Sequence, residues 1–261
     1  MSKSLLELGI DGRVAIVTGA GKGIGRETSI QLAKMGAKVA LVGKSMDSIS
    51  KVEKEIKEFS NDVIALQCDV GSEDAVNETV REVADAFGRI EILVNNAGVE
   101  VDRPHNMAGA ELMMVASIDQ YHKVIDTNLI GHYNFMRACI PYMVKQQYGR
   151  IVNISSVTGF NGGAASPAYV ASKAGIIVQT KSFARAYGPD NILINGIAPG
   201  MVDTPMHAEA TREEFEFVAA KTPLKRVAQP VDIARVVLFL AQEDLFMTGE
   251  TLAPDGGSTM R

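Results

Sequence analysis

Short, almost uninterrupted apolar runs alternate along this chain with longer stretches in which apolar residues recur every three or four positions. The runs fall at 14–18, 39–42, 63–66, 92–94, 151–154 and 192–197, with a last short one near Leu252. They are rich in valine and isoleucine and apolar at consecutive positions, as strands buried on both faces must be. Between them, residues 23–35, 46–59, 72–87, 117–144 and 172–187 carry the period of amphipathic helices. This alternation predicts an α/β fold: a doubly wound parallel sheet of Rossmann type, with right-handed crossovers and helices on both faces. No linker, shift of composition or internal repeat divides residues 1–261, so one domain is expected.

Two segments break the rhythm. Residues 99–116 hold Met107, Met113 and Met114 beside Pro104 and Gly109, and residues 202–222 hold an acidic helical patch at Glu213, Glu214 and Glu216. Ligands of open α/β sheets sit outside the carboxyl ends of the strands, where both segments emerge. Both are therefore expected to cover a substrate.

Composition narrows the classes. With 46% hydrophobic and 22% charged residues, the chain has enough apolar side chains for a sizeable core. A net charge of -5 without a basic run argues against a nucleic-acid binder. No apolar stretch approaches the roughly 18 residues of a membrane span. Residues 1–13 hold one lysine and no long apolar run, which is not the pattern of a secretory signal, so a cytoplasmic location is expected. Cys68 and Cys139 form no C-x-x-C pair and read as buried thiols. His105, His122, His132 and His207 lack metal-ligand spacing and are assigned surface or core duty.

The first candidate chemistry follows the first strand. Gly19, Gly21, Gly23 and Gly25 occur within Thr18-Gly19-Ala20-Gly21-Lys22-Gly23-Ile24-Gly25, and a helical run comes next. Ile24 stands where the third glycine of G-x-G-x-x-G would fall, yet the physical need is met. Glycines let the backbone approach a pyrophosphate, and the following helix offers free N–H groups at its positive end. A Walker-type nucleotide site is excluded, because no Gly-Lys-Ser/Thr follows. At the second strand, an NAD-binding unit places an acid to bond the ribose 2′-hydroxyl. Here that strand runs into Gly43-Lys44-Ser45, with no acid before Asp47. Lys44 just past the strand, and Lys22 projecting from the turn towards the same ribose, suit a 2′-phosphate. NADP(H) is therefore favoured over NAD(H).

Tyr169 and Lys173 lie four apart on a helical stretch, on one face and one turn apart. A free tyrosine is a poor acid–base group at neutral pH, but a neighbouring ammonium favours its phenolate. Such a pair could exchange a proton with a substrate oxygen while hydride moves at carbon.

The surrounding motifs add weight. The chain resembles the short-chain dehydrogenase/reductase superfamily from Arg13 to its C-terminal region. The resemblance is carried by Thr18-Gly-x-x-x-Gly-x-Gly25, Cys68-Asp69-Val70, Asn95-Asn96-Ala97-Gly98, Asp126-Thr127-Asn128 and Asn153-Ile154-Ser155-Ser156. It continues in Tyr169-Val170-Ala171-Ser172-Lys173, Pro199-Gly200 and Asp255-Gly256-Gly257. It implies that Ser156 bonds the substrate oxygen, Tyr169 is the acid or base, and Lys173 tunes Tyr169 and holds the nicotinamide ribose. Asn128 would anchor a water that extends the proton relay. Asp69 and Val70 would flank the adenine, with Asn95 supporting the sheet beside the cofactor. Asn96, Ala97 and Gly98 would line the cofactor, as would Ile24 and Val202. Pro199, Gly200 and Thr204 would lie near the nicotinamide. Ser155 reads as a turn or cap serine.

The chain departs from that pattern in two places. The stretch from Gly98 to Asn128 is longer than usual, and the small residues 161–166 before Tyr169 point to room for a bulky group. The expected activity is reduction of a ketone or 3-oxoacyl thioester by NADPH, or the reverse on a secondary alcohol. The alternatives are an epimerase or dehydratase that retains its cofactor, and a non-enzymatic NADP(H) sensor. Ile176, Ile177 and Phe183, apolar away from the catalytic face of their helix, predict a homodimer or homotetramer.

Overall fold

The computed structural model describes residues 8–101, 110–114, 116–163, 165–207 and 210–260. Its seven strands are β1 Val14–Thr18, β2 Lys38–Gly43, β3 Val63–Gln67, β4 Ile92–Asn95, β5 Gly149–Ile154, β6 Ile192–Ile197 and β7 Thr251–Leu252. All pair in parallel in the order β3-β2-β1-β4-β5-β6-β7. The order reverses between β1 and β4, which opens a crevice at the carboxyl ends of those two strands.

Each strand is buried because its alternate residues feed two different cores. Ala15 and Val17 on β1, Leu41 on β2 and Val94 on β4 face one way. They meet Ile30 and Leu32 of α1 (Gly23–Lys34), Ile49 and Val52 of α2 (Met46–Lys57), and Ile233 and Val237 of α10 (Pro230–Ala241). Val14 and Ile16, Val42 and Leu93 face the other way. They meet Val76 and Val80 of α3 (Glu73–Phe87), and Phe135, Met136 and Cys139 of α6 (Gly131–Gln146). Cys68 and Cys139 are free and buried, and burial pushes both thiols up. No helix among the described residues is long and apolar enough to cross a membrane.

Polar caps mark where the helices start. Ser72 accepts from Ala75 N at 3.4 Å to open α3, and left-handed Gly88 (φ 78°) closes it. A short α4 (Ala110–Met113) lies in the first interrupting segment. Met107, Pro104, Gly109 and His105 lie outside the described residues. The acidic patch in the second interrupting segment forms α9 (Arg212–Lys221), opened by a reciprocal Thr211–Glu214 capping box.

Two expectations need correction. The helix expected over 117–144 is α5 (Ile118–Ile125) and α6 joined by a π-helical turn at Asp126–Ile130. That wide turn carries Asn128, whose side chain reaches away to hold a neighbouring loop. The helix expected to begin at residue 172 is α8 (Pro167–Tyr187), which starts five residues earlier. Ser166 caps it by accepting from Tyr169 N at 3.3 Å, and Pro167 occupies its first turn. The remaining short helix is α7 (Thr158–Asn161).

Candidate active site

The turn between β1 and α1 is built around glycine. Gly19 takes φ +64°, and a Cβ on Gly25 would sit 2.3 Å from the Gly19 carbonyl oxygen. Any side chain there would force the turn open, so the backbone itself forms the floor of the crevice. Asn96 holds this floor to β4: its Nδ2 donates to Thr18 O at 2.9 Å and Gly19 O at 3.3 Å. The Thr18 hydroxyl accepts in return from Asn96 N and Ala97 N at 2.9 and 3.0 Å. Lys22 precedes α1 in extended conformation and supplies no side-chain cap, so the first N–H groups of α1 point outward without a side-chain acceptor. Asn95, fully buried, donates to Asn153 Oδ1 at 2.9 Å and ties β4 to β5.

Two cavities open from this floor. One, of about 170 Å³, is lined by Gly19, Lys22, Gly23, Ile24, Asn96, Ala97, Gly98, Ser155, Ser156, Tyr169, Lys173, Pro199, Gly200, Val202, Thr204 and His207, among others. The other, about 640 Å³, is lined by Lys44, Cys68, Asp69, Val70, His122 and Asp126 and shares Gly19, Ala97 and Gly98 with the first. Together they form one elongated trough across the strand ends. Gly21, Gly25 and Asn128 stand behind its walls. A Cβ on Gly21 would lie 2.3 Å from Ser48 Oγ, so that glycine serves the packing of α2.

The two lysines expected at one ribose are separated. Lys22 borders the smaller cavity, and Lys44 the larger. The strand end also does not lack an acid in space: Lys44 Nζ donates to Asp69 Oδ2 at 2.6 Å. That ammonium holds the Asp69 carboxyl below its ordinary range. Sequence reading placed Asp69 at the adenine but did not foresee its pairing with Lys44, because this acid follows β3 and not β2.

Tyr169 and Lys173 stand on the cavity face of α8, with the ammonium 5.4 Å from the centre of the phenol ring. Lys173 is buried, and its Nζ donates to Ile154 O at 2.9 Å. Ser156 follows β5, where pairing with β6 continues through Ser155 N to Ile197 O (2.7 Å) and Val157 N to Pro199 O (3.0 Å). Its hydroxyl accepts from Thr158 N and Thr158 Oγ1 at 3.2 and 3.0 Å and also bonds the Tyr169 side chain. Thr158, which sequence reading missed, therefore orients the serine hydroxyl. Ser155 is neither a turn nor a cap serine: its hydroxyl donates to Lys173 O at 2.7 Å and locks β5 to α8. Asn128 Oδ1 accepts from Val99 N at 2.8 Å, while its Nδ2 donates to Val99 O and Ser172 Oγ at 2.9 and 3.1 Å. Ser172 in turn donates to Tyr169 O at 2.7 Å. The π-helical turn, the loop after β4 and the tyrosine are thus one hydrogen-bonded unit.

The electrostatics differ from the expectation of a phenolate stabilised by Lys173. Burial, then the negative charge of Glu100, pushes Tyr169 up to about 12, against a smaller opposing effect of the Ser156 bond. Burial brings Lys173 down to about 8, with Glu100 opposing. At neutral pH, then, Tyr169 holds its proton. Glu100 was not singled out by the sequence, and neither was His132, a buried ring bonded to Ala97 O at 3.3 Å. Burial, and next the charge of Lys173, lowers His132 to about 3. Below its ordinary value the unfolded chain takes up a proton that the folded chain refuses, so His132 withdraws stability as pH falls from 6.5 towards 3. Denaturant melts should show His132→Gln losing about 2 kcal/mol less than the parent between roughly pH 8 and pH 5.

A parallel sheet with a glycine floor at its switch point, and a Ser–Tyr–Lys wall beside it, defines a dinucleotide-binding oxidoreductase. Comparison with known proteins gives the family: the model for short chain dehydrogenase matches residues 13–214. The chain belongs to the short-chain dehydrogenase/reductase family. It is 36% identical over 249 residues to a 3-oxoacyl-[acyl-carrier-protein] reductase of Thermotoga maritima, covering 95% of this chain and 98% of that protein. A Staphylococcus aureus protein of the same name is 38% identical, covering 94% and 98%. Among solved structures, a levodione reductase superposes with a TM-score of 0.87 at 32% identity, covering 95% of this chain and 97% of that one. Membership implies a nicotinamide cofactor, and the Gly19–Gly25 floor, the outward N–H groups of α1 and the elongated trough fit one.

Proposed function

We propose that this protein is an NADPH-dependent carbonyl reductase, acting on a ketone or 3-oxoacyl thioester through Tyr169 as general acid. The observation that carries this reading is the meeting of Ser156, Tyr169 and Lys173 on one cavity wall beside the glycine floor. Gly19, Gly23, Ile24, Asn96, Ala97 and Gly98 would hold the cofactor's diphosphate and central riboses, with Gly21 and Gly25 shaping the turn. Pro199, Gly200, Val202 and Thr204 would hold its nicotinamide end, and Lys44, Asp69 and Val70 its adenosine end. When bound, NADPH supplies a hydride to the carbonyl carbon.

The chain's own residues manage the oxygen. Thr158 donates to Ser156 Oγ, which orients the serine hydroxyl beside Tyr169, where it would bond the substrate oxygen. Tyr169, protonated at neutral pH because burial and Glu100 keep it so, gives its proton to that oxygen as negative charge develops. Lys173, anchored on Ile154 O, presents positive charge beneath the phenol and stabilises the tyrosinate left behind. Asn128 holds Val99 and Ser172, and with them the backbone of Tyr169. A protonated tyrosine favours reduction over oxidation. The names of the relatives support including an acyl thioester among the substrates.

The ordering of Ile176 and Ile177 inside this chain removes the argument that they call for a second copy. Phe183 packs between Tyr133 and Tyr187. Val178 and Tyr133 remain exposed on that side, and they support a homodimer or homotetramer, which gel filtration at the mass of one chain would exclude. The deciding experiment for function is loss of NADPH absorbance against a panel of ketones, aldehydes and acetoacetyl-coenzyme A, each repeated with NADH. Turnover preferring NADPH is expected. Tight NADPH binding without turnover on any member would replace this reading with an enzyme that retains its cofactor, or with a sensor.

A further inference from the structure

Two donors converge on one serine oxygen. Ser156 Oγ accepts from Thr158 N at 3.2 Å and from Thr158 Oγ1 at 3.0 Å. A hydroxyl has two lone pairs and one proton, so these bonds fill its acceptor capacity and leave it able only to donate. Thr158 has little freedom to let go. Gly159 N donates back to Ser156 O at 3.0 Å, Val157 N to Pro199 O at 3.0 Å, and Gly162 N to Thr158 O at 2.9 Å. Gly159 seats this turn directly on the catalytic helix, because a Cβ there would lie 2.7 Å from the Lys173 carbonyl carbon. Ser155 pins the same point by donating to Lys173 O at 2.7 Å. The threonine that directs the serine is therefore fixed to the backbone of the lysine that serves the tyrosine.

We propose that Thr158 is a positioning residue that sets the direction of hydrogen bonding at the reacting oxygen: by filling the acceptor sites of Ser156, it commits the serine proton to the substrate's carbonyl oxygen. This deepens the proposed reduction and rests on the reading of Ser156 as the group that bonds that oxygen. A substrate carbonyl can only accept, so a serine free to turn would spend part of its time presenting a lone pair to it. With its lone pairs taken, Ser156 also offers no acceptor to the Tyr169 phenol on the same cavity wall. The phenol proton then has the substrate oxygen as its destination, while Ser156 holds that oxygen by a hydrogen bond and transfers no proton. Hydride from NADPH to carbon and the proton from Tyr169 to oxygen balance the reduction. The gain falls mainly in the transition state, because the serine bond strengthens as negative charge gathers on the oxygen.

Thr158→Val keeps the backbone N–H and the branched shape and removes the hydroxyl donor, whereas Thr158→Ser keeps both donors. Acetoacetyl-coenzyme A and NADPH serve as substrates, and single-turnover measurement at high enzyme concentration reaches the slow variants. Thr158→Val should lower the rate of reduction roughly tenfold, the scale of one misdirected hydrogen bond, with KM for the thioester and NADPH affinity within about twofold of the parent. Thr158→Ser should restore most of the rate. The decisive readout is a cycle with Ser156→Ala: once the oxygen that Thr158 directs is gone, Thr158→Val should cost nothing further. An unchanged rate in Thr158→Val would overturn the inference. So would an undiminished loss on the Ser156→Ala background, which marks a structural role alone. Should Thr158→Val melt far below the parent, Thr158→Ala takes its place in the same cycle with the same expectations. Full turnover in Ser156→Ala would instead overturn the reading of the serine, and inactivity of the parent on the whole panel the reading of the function.

Discussion

Replacing Tyr169 with phenylalanine should cut carbonyl reduction by roughly a thousandfold, in the middle of the range for losing a positioned general acid. Nucleotide affinity should change little, because the glycine floor, Asn96 and the α1 terminus are untouched by the change. The fold should also hold. The phenol oxygen engages Ser156 across the cavity, whereas the anchors of α8 run through Ser166, Ser155 and Ser172. Fluorescence titration with NADPH and a single-turnover rate separate these effects. A variant that binds NADPH normally but does not reduce confirms proton donation by Tyr169. A variant within tenfold of the parent would move the acid elsewhere, and Lys173, lowered to about 8, is the other group on that wall able to donate.

The fold could be read in the sequence because its dominant energy is local in pattern. Strands such as Val14–Thr18 and Ile192–Ile197 are largely buried on both faces, so they show as almost uninterrupted apolar runs between amphipathic helices. The site was legible to the extent that it depends on spacing along one element. Tyr169 and Lys173 share a helix face, and the glycines share a turn. What was not legible depends on contacts between elements. Nothing local marks Asn128 as the centre of a π-helical turn, since the cause is its grip on Val99, 29 positions away. Glu100 meets Ser166 across 66 positions, and burial of the phenol, with Glu100 adding to it, reverses the expected direction of the Tyr169 titration. Asp69 reaches Lys44 across 25. The early start of α8 is different in kind: Ser166-Pro167 is a capping signal present in the sequence and passed over. Ile176 and Ile177 were assigned to a partner because a helix between a sheet and its neighbours is apolar on more than one side even within a single chain.

Replacing Lys44 with aspartate should reverse cofactor preference, lowering the ratio of kcat/KM for NADPH over NADH by roughly a hundredfold or more. Two effects add. A charge-assisted contact to the 2′-phosphate is lost, and a carboxylate beside Asp69 creates a repulsive pair where that phosphate would lie. The Lys44–Asp69 pair is itself mostly exposed, with 80% and 46% of the two side chains accessible. Surface pairs of this kind contribute about 1 kcal/mol at most, so thermal stability should barely move. The geometry also separates the two lysines that the sequence joined. Lys22 borders the cavity of Tyr169 and Thr204, not the cleft of Lys44. Lys22→Ala should therefore weaken NADPH and NADH alike and leave their ratio within about threefold, because a contact common to both ligands carries no discrimination. If Lys22 moved the ratio and Lys44 did not, the 2′-phosphate would lie at the α1 terminus, and the larger cleft would have to hold the adenine by apolar contact alone. If both moved it, Lys22 would have to swing across the shared floor at Gly19 when the nucleotide binds.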